Sequence, residues 1–256
     1  MSDKIFEIKT VQSNAIRILI EALKDILTDV NFNITKEGIK LIAMDGSKQA
    51  IVNLKLEASK FETFYCEKPI TTGINMISLY KIIKGVKNSD IISLYIYKNS
   101  STKLYIEIEN KEKKTNILTV LKLLDIDDDI LEIPDVEFDT VKTMPSNDFQ
   151  SYIRELSIIT NVIKLESKNN TFILSGEGDF AETKISIGDS NTGEIENKYI
   201  NASGSFYIKY LLLFIKSTNL CTTVEIYLKE QFPLILIYNV ANLGKLQYCL
   251  APIVNE

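Results

Sequence analysis

The residues with the most evident capacity for chemistry lie near the midpoint of the chain. Asp125 to Pro134 reads DIDDDILEIP, with carboxylates at Asp125, Asp127, Asp128 and Asp129. Oxygen donors at 125, 127 and 129 have the alternate spacing of a calcium loop between two helices. The next two requirements fail, because Ile130 stands where the loop needs glycine and Val136 where it needs a bidentate glutamate. No metal is expected, and the stretch is read as a connecting segment kept solvated by its acids.

What is missing limits the remaining chemistry. The 256 residues contain no histidine, which removes Ser-His-Asp triads, Cys-His pairs and imidazole-bound metals. Cys66, Cys221 and Cys249 are odd in number and too far apart for a zinc knuckle, so they read as free, mostly buried thiols. GEGDF at 176–180 has two glycines but neither the lysine-serine ending of a phosphate loop nor a following helical pattern. No separated carboxylate pair stands out among 34 acids. The expectation is a protein that is not an enzyme and carries no cofactor.

With no catalytic set to position, the elements themselves carry the argument. At 45% hydrophobic, the chain can bury one large core or two of about 120 residues each. It has no apolar run of 18 residues, and its first twenty residues carry charges without a small-residue cleavage site, so no membrane span and an intracellular setting are expected. Four segments show helical spacing. Ile16, Leu19, Ile20, Leu23 and Leu27 mark the first, and Met76, Leu79, Ile83 and Val86 the second. Phe149, Tyr152, Ile153 and Leu156 follow a Ser146 N-cap in the third, and Tyr207, Leu211, Phe214 and Ile215 mark the fourth. The segments between alternate or are β-branched, as in DIISLYIYK and TTVEIYLKE.

The halves repeat. Helix one to helix three is an offset of about 133 residues, helix two to helix four about 131, and the strand pairs agree at 132. Two copies of one α+β domain follow, with helices on one face of antiparallel sheets. The expected boundaries are 1–121 for the first copy, 122–138 for the connector and 139–256 for the second.

The net charge of −5 argues against a simple basic nucleic-acid binder, but its distribution does not. With helices taken as 13–27, 75–87, 146–158 and 206–217, the helices sum to +4 and the rest of the chain to −9. Helical phase sets Arg17 with Lys24, Lys81 with Lys84, and Lys209 with Lys216 opposite the apolar stripes, and Arg154 opposite Phe149 and Leu156. Each helix thus has an expected cationic outer face, suited to sequence-blind contact with double-stranded DNA. No aromatic residues interleave with these cations in the manner of a single-strand groove.

Several stretches resemble the proliferating cell nuclear antigen family of DNA sliding clamps. They are IEALKDIL, IKLIAMDGS at 39–47, KPITTGINMISLYKIIKGVKNSDIISL, LDIDDDILEIPDVEF, MPSNDF, and FPLILIYNVANLGKLQYCLAPIV near the end. The resemblance implies a clamp fold of two topologically equal domains, closing as a homotrimer into a pseudo-sixfold ring with helices inside. Arg17, Lys24, Lys81, Lys84, Arg154, Lys209 and Lys216 would then face DNA. The subunit contact would pair Thr115, Ile117, Thr119 and Leu121 with Ala181, Thr183, Ile185 and Ile187. A groove for partner peptides would be lined by Met44, Ile51, Leu131, Ile133, Pro134, Phe138, Phe232, Pro233, Leu250, Ala251 and Pro252.

The implied function is a processivity factor in DNA replication and repair, tethering polymerases and other proteins with clamp-binding peptides, and opened by a clamp-loader ATPase. The alternative is a clamp-like factor that binds DNA directly as a monomer or dimer. The implied location is the nucleus, or a cytoplasmic replication site for a viral protein. Departures from the family pattern are Lys48-Gln49 where relatives have His-Val, and Cys249 where they have Tyr. Ile18, Ser151 and Ile158 replace inner-face basic residues or histidines, and Lys168 matches a lysine that relatives modify with ubiquitin.

Overall fold

A computed structural model describes residues 3–127, 131, 136–188 and 198–253. The chain divides into two compact units. One comprises Met1–Gly46, Asn53–Leu131 and Val240–Leu246; the other comprises Ser47–Val52, Glu132–Asn239 and Gln247–Glu256.

In the first half of the chain the order is β1 (Lys4–Thr10), α1 (Ser13–Leu23), β2 (Asp29–Thr35), β3 (Gly38–Met44), β4 (Ala50–Glu57), β5 (Thr63–Cys66), β6 (Ile70–Asn75), α2 (Met76–Ile83), β7 (Asp90–Tyr97), β8 (Lys103–Asn110) and β9 (Thr115–Lys122). The second half follows with β10 (Thr140–Pro145), α3 (Ser146–Ser157), β11 (Val162–Lys168), β12 (Thr171–Glu177), β13 (Glu182–Ile187), β14 (Lys198–Tyr199), β15 (Ala202–Tyr207), α4 (Ile208–Phe214), β16 (Thr223–Leu228), β17 (Leu234–Val240) and β18 (Gly244–Leu250). In the first unit the strands run β5-β1-β7-β8-β9 in one sheet and β4-β3-β2-β6 in another. In the second they run β14-β10-β16-β17-β18 and β13-β12-β11-β15. These are one order written twice, with β1 matching β10, β4 matching β13 and β9 matching β18.

Strand alternation and helix period meet in each core. Phe6 and Ile8 on β1 point inward with Ile16, Leu19, Ile20 and Leu23 of α1. Phe149, Ile153 and Leu156 of α3 are likewise buried, with Leu211 and Phe214 of α4. Burying four to six such side chains at about 1.5–3 kcal/mol each sets the scale on which a helix is held to its sheet.

The helices are shorter than the periodicity predicts. α1 closes at Leu23 and α2 at Ile83, the apolar pattern running on into turns that bury Leu27 and Val86. Phe206 and Tyr207 belong to β15, where they pair with Ile163 and Val162. The fourth helix therefore begins at Ile208, and the chain continues from Ile215 to Leu220 as a 3₁₀ segment. Tyr207, expected on the apolar stripe, is exposed, because the strand's alternation turns it away from Phe206.

Ser146 is not an N-cap. It is the first helical residue, Pro145 precedes it, and its hydroxyl is drawn elsewhere: Oγ donates to the carbonyls of Cys221 (2.7 Å) and Thr218 (3.2 Å). The repeat counterpart behaves alike. Ser13 Oγ donates to the carbonyls of Asp90 (2.8 Å) and Lys87 (2.9 Å). In each unit one buried hydroxyl ties the first helix to the chain leaving the second. A side-chain cap does occur at α2, where Asn75 Oδ1 accepts from the Ser78 amide at 2.8 Å.

Replacing either serine with alanine leaves two carbonyls without their hydroxyl donor. Ser13→Ala and Ser146→Ala are each expected to destabilise their unit by about 1–3 kcal/mol, read as a lowered urea midpoint; an unchanged midpoint would show that water replaces the hydroxyl.

Candidate nucleic-acid interface and partner groove

The cations of the first unit fall into two groups. On α1, Arg17 Nη1 lies 2.7 Å from Glu21 Oε2, and its Nε and Nη2 donate to Asn14 Oδ1 at 3.0 and 2.9 Å. Lys24 lies 2.7 Å from Asp25 Oδ1, with its ammonium 4.9 Å above the Tyr80 ring. Tyr80, reaching across from α2, donates its hydroxyl to Glu21 Oε1 at 3.1 Å. Burial, then the Glu21 carboxylate, holds the Tyr80 hydroxyl above its usual range. The α1 face is thus an ion-paired network rather than a row of open cations. On α2 and the turn after it, Lys81, Lys84 and Lys87 are exposed, and among the described residues none has an ion-pair partner.

In the second unit, Lys209 and Lys216 are exposed on α4 and the 3₁₀ segment. The Lys209 ammonium lies 5.0 Å from the Tyr210 ring and 5.6 Å from that of Tyr207, a contact that leaves the charge in place. Arg154 is exposed on α3 next to the exposed Glu155. The expectation of one cationic face per helix is therefore corrected. α2, and α4 at Lys209, carry charge with no ion pair among the described residues, α1 neutralises its own, and α3 offers one arginine beside a carboxylate. Ion pairing is a matter of rotamer and neighbour, which helical phase does not contain. Of the departures on these helices, Ile18 is buried, Ser151 is exposed and Ile158 is 76% exposed.

The two strands expected at the subunit contact are both sheet edges. β9 pairs with β8 alone and β13 with β12 alone among the named strands. On β9, Ile117, Leu118 and Val120 are exposed, while Thr119 and Leu121 are half-buried. Thr183, Ile185 and Ile187 alternate as half-buried positions along β13. Ala181 lies just before the strand, where its carbonyl accepts the Gly178 amide in a turn. Leu118 and Val120 lie opposite Glu107 and Tyr105, within the strand that the resemblance singled out but not among the residues named there.

The expected groove residues divide between the units. In the first, Met44 and Leu131 are half-buried. In the second, Ile51, Phe138, Phe232, Pro233, Ala251 and Pro252 are half-buried. The Phe138 ring meets Phe232 edge-on at 5.7 Å and Tyr227 at 5.5 Å. Tyr227 is a member the sequence reading missed; its signal was its place in VEIYL, where alternation sets it opposite the buried Ile226. Its hydroxyl donates to Glu225 Oε2 at 2.8 Å, and Lys229 Nζ donates to the Glu137 carbonyl at 2.9 Å beside it. Segment 251–253 is held by its backbone, Ala251 N–H donating to Gln49 O (2.9 Å) and Ile253 N–H to Ser205 O (2.8 Å).

Two expectations change here. Leu250 is 1% exposed and packs in the core, because β18 ends with Tyr248, Cys249 and Leu250 buried in succession. Cys249 is buried as well, so its replacement of a tyrosine does not strip an aromatic from the exposed cluster. Ile133 and Pro134 lie outside the described residues, as do Asp128, Asp129 and Ile130 of the acidic stretch. Among the described residues no cluster of metal-ligating side chains occurs.

The chain matches the family model for the proliferating cell nuclear antigen N-terminal domain over residues 5–130, and that for the C-terminal domain over 132–253. These matches, laid on a twice-written antiparallel α+β unit, place the chain in the proliferating cell nuclear antigen family. It is 36% identical, across 98% of both chains, to a protein of Paramecium bursaria Chlorella virus 1 named as a probable DNA polymerase sliding clamp 1.

The thiols are chemically quiet. Burial raises all three, pushing Cys249 up to about 11, and Cys66 and Cys221 each donate to a backbone carbonyl. At pH 7.5 the folded protein is expected to resist alkylation by iodoacetamide at these cysteines, and the urea-unfolded chain to label at all three, as counted by mass spectrometry.

Proposed function

We propose that this chain is a DNA sliding clamp, a processivity factor that encircles duplex DNA and tethers polymerases and other replication and repair proteins. The single observation that carries this is family membership across both halves of the chain. The name of the viral relative supports it. The exposed lysines of α2 and of the α4 segment supply what such a track requires, contact with phosphates irrespective of sequence.

The ring is a homotrimer formed head to tail through β9 of one copy and β13 of the next. Support comes from the repeat itself. β18 and β4 stand in the places of β9 and β13. In the first unit the Glu57 amide donates to Leu243 O at 2.9 Å, and an added Cβ on Gly244 would fall 2.0 Å from Lys55 O. The exposed apolar residues of β9 are a liability in a free monomer and are covered by such a pairing. A heterologous contact of this kind closes when its rotation divides the circle.

The clamp domains are residues 1–121 and 139–256, with 122–138 as connector. Partner peptides dock where Phe138, Phe232, Pro233, Ala251 and Pro252 leave apolar surface, by an apolar-face-in-groove contact. The protein acts by binding and holding, without catalysis of its own. A loader ATPase opens the ring, and the work is done where nuclear or viral DNA is replicated.

Light scattering over a concentration series is expected to give about 87 kDa, three times the 29.0 kDa chain; a stable monomer would remove topological tethering. Reversing Lys81, Lys84 and Lys216 to glutamate together is expected to abolish loading and polymerase stimulation with the mass unchanged, and unaltered stimulation would refute their assignment to the DNA face. Phe232→Ala with Leu131→Ala is expected to weaken a clamp-binding peptide by about tenfold or more, about 1.4 kcal/mol, in a calorimetric titration; equal affinity would move the groove elsewhere.

A further inference from the structure

We infer that Glu21 is a built-in attenuator of the DNA track, which keeps α1 from gripping phosphates and leaves α2 and α4 to carry the contact. The inference rests on the DNA-facing reading of the helices and deepens it.

The carboxylate sits between two anchors. Arg17 Nη1 donates to one oxygen at 2.7 Å and the Tyr80 hydroxyl to the other at 3.1 Å. Arg17 is in turn held from behind by Asn14 Oδ1 through two further donors. The guanidinium therefore has most of its directed hydrogen bonds filled within the protein. Lys24, one turn on, is bonded to Asp25 and covered on one side by the Tyr80 ring. Two cations and two carboxylates leave the α1 face with no net charge.

Exposure sharpens the point. The Glu21 side chain is 42% exposed, against 24% for Arg17 and 20% for Lys24. An approaching phosphate would meet the carboxylate before either cation. Ion pairs at this exposure add little to stability, so their effect is on the local field rather than on the fold. Lys81, Lys84 and Lys87 on the neighbouring helix have no such partner among the described residues.

The second repeat supplies an internal comparison. Aligning Ser13 with Ser146 matches Ile16 to Phe149, Ile20 to Ile153 and Leu23 to Leu156, all buried. The position of Glu21 is then held by Arg154, which is exposed. One slot of the shared fold carries a cation in one copy and a clamped anion in the other. A track that must be held yet slide benefits from the difference, since each neutralised phosphate steepens affinity and slows release.

The test is the salt dependence of binding to a short fluorescent duplex, read by anisotropy on the full-length protein with its mass checked in parallel. Glu21→Gln is expected to tighten binding and steepen the log–log salt slope by about 0.9 for each phosphate newly engaged. One added contact corresponds to about 3.5-fold more loss of affinity over a fourfold rise in salt. Glu21→Arg, which copies the second repeat, is expected to do the same or more. Arg17→Gln is expected to leave the slope near that of the parent, whereas Lys81→Gln lowers it. If Lys81→Gln weakens binding but Glu21→Gln and Glu21→Arg bind like the parent, the attenuator is overturned and the DNA face stands. A fall in salt slope on Arg17→Gln as large as that on Lys81→Gln also overturns it. If neither the Lys81 nor the Glu21 substitutions change binding, both the attenuator and the DNA-facing assignment fall.

Discussion

Two hydroxyl protons, those of Ser13 and Ser146, hold the first helix of each unit to the chain that leaves the second, and the arrangement of each helix pair depends on them. A buried serine in the first turn of a helix would ordinarily serve its own amides. Here both are turned outward from their helices to carbonyls some 75 residues away. The backbone groups they satisfy lie where a helix gives way to a strand, so the bond sets where the next strand begins as well as where the helix lies. With both helices of a unit pinned and their apolar faces buried, only their outer faces remain available for function.

Those outer faces are not equivalent, although the fold beneath them is. α1 spends its cations on Glu21, Asn14 and Asp25, while Lys81 and Lys84 of α2 and Lys209 of α4 have no ion pair among the described residues. A repeat fixes which positions point out, and it leaves each position's charge free. That freedom is how one duplicated unit yields a strong and a weak stretch of positive field. The aromatic cluster of Phe138, Tyr227 and Phe232 shows the same economy. Its rings hold one another at edge-to-face distances worth about 0.5–1.5 kcal/mol per pair, and each still keeps part of its surface exposed.

The sheet edges follow another constraint. An antiparallel sheet leaves a row of amides and carbonyls at each end. The strand order leaves β9 and β13 each with a single paired neighbour, β8 and β12. Exposed Ile117, Leu118 and Val120 sit on one of these open edges, which is the chemistry of a surface built to be covered.

Much of this was written in the sequence in legible form. Apolar period separated helices from strands, the constant offset between landmarks gave the repeat, and the missing histidine removed most catalytic sets, because each is a property of spacing or inventory alone. The phase of Lys81, Lys84, Lys209 and Lys216 was legible for the same reason. What required the tertiary structure were facts about neighbours. Tyr207 ended a strand because Val162 lay beside it, Ser146 left its cap because Cys221 offered a carbonyl, and Tyr227 joined two phenylalanines from other segments. Arg17 has its charge balanced by Glu21 on its own helix, yet the tyrosine that fixes the pair comes from another. Sequence carries the period of a chain about its own axis; which side chains then meet is decided only when separate axes are brought together.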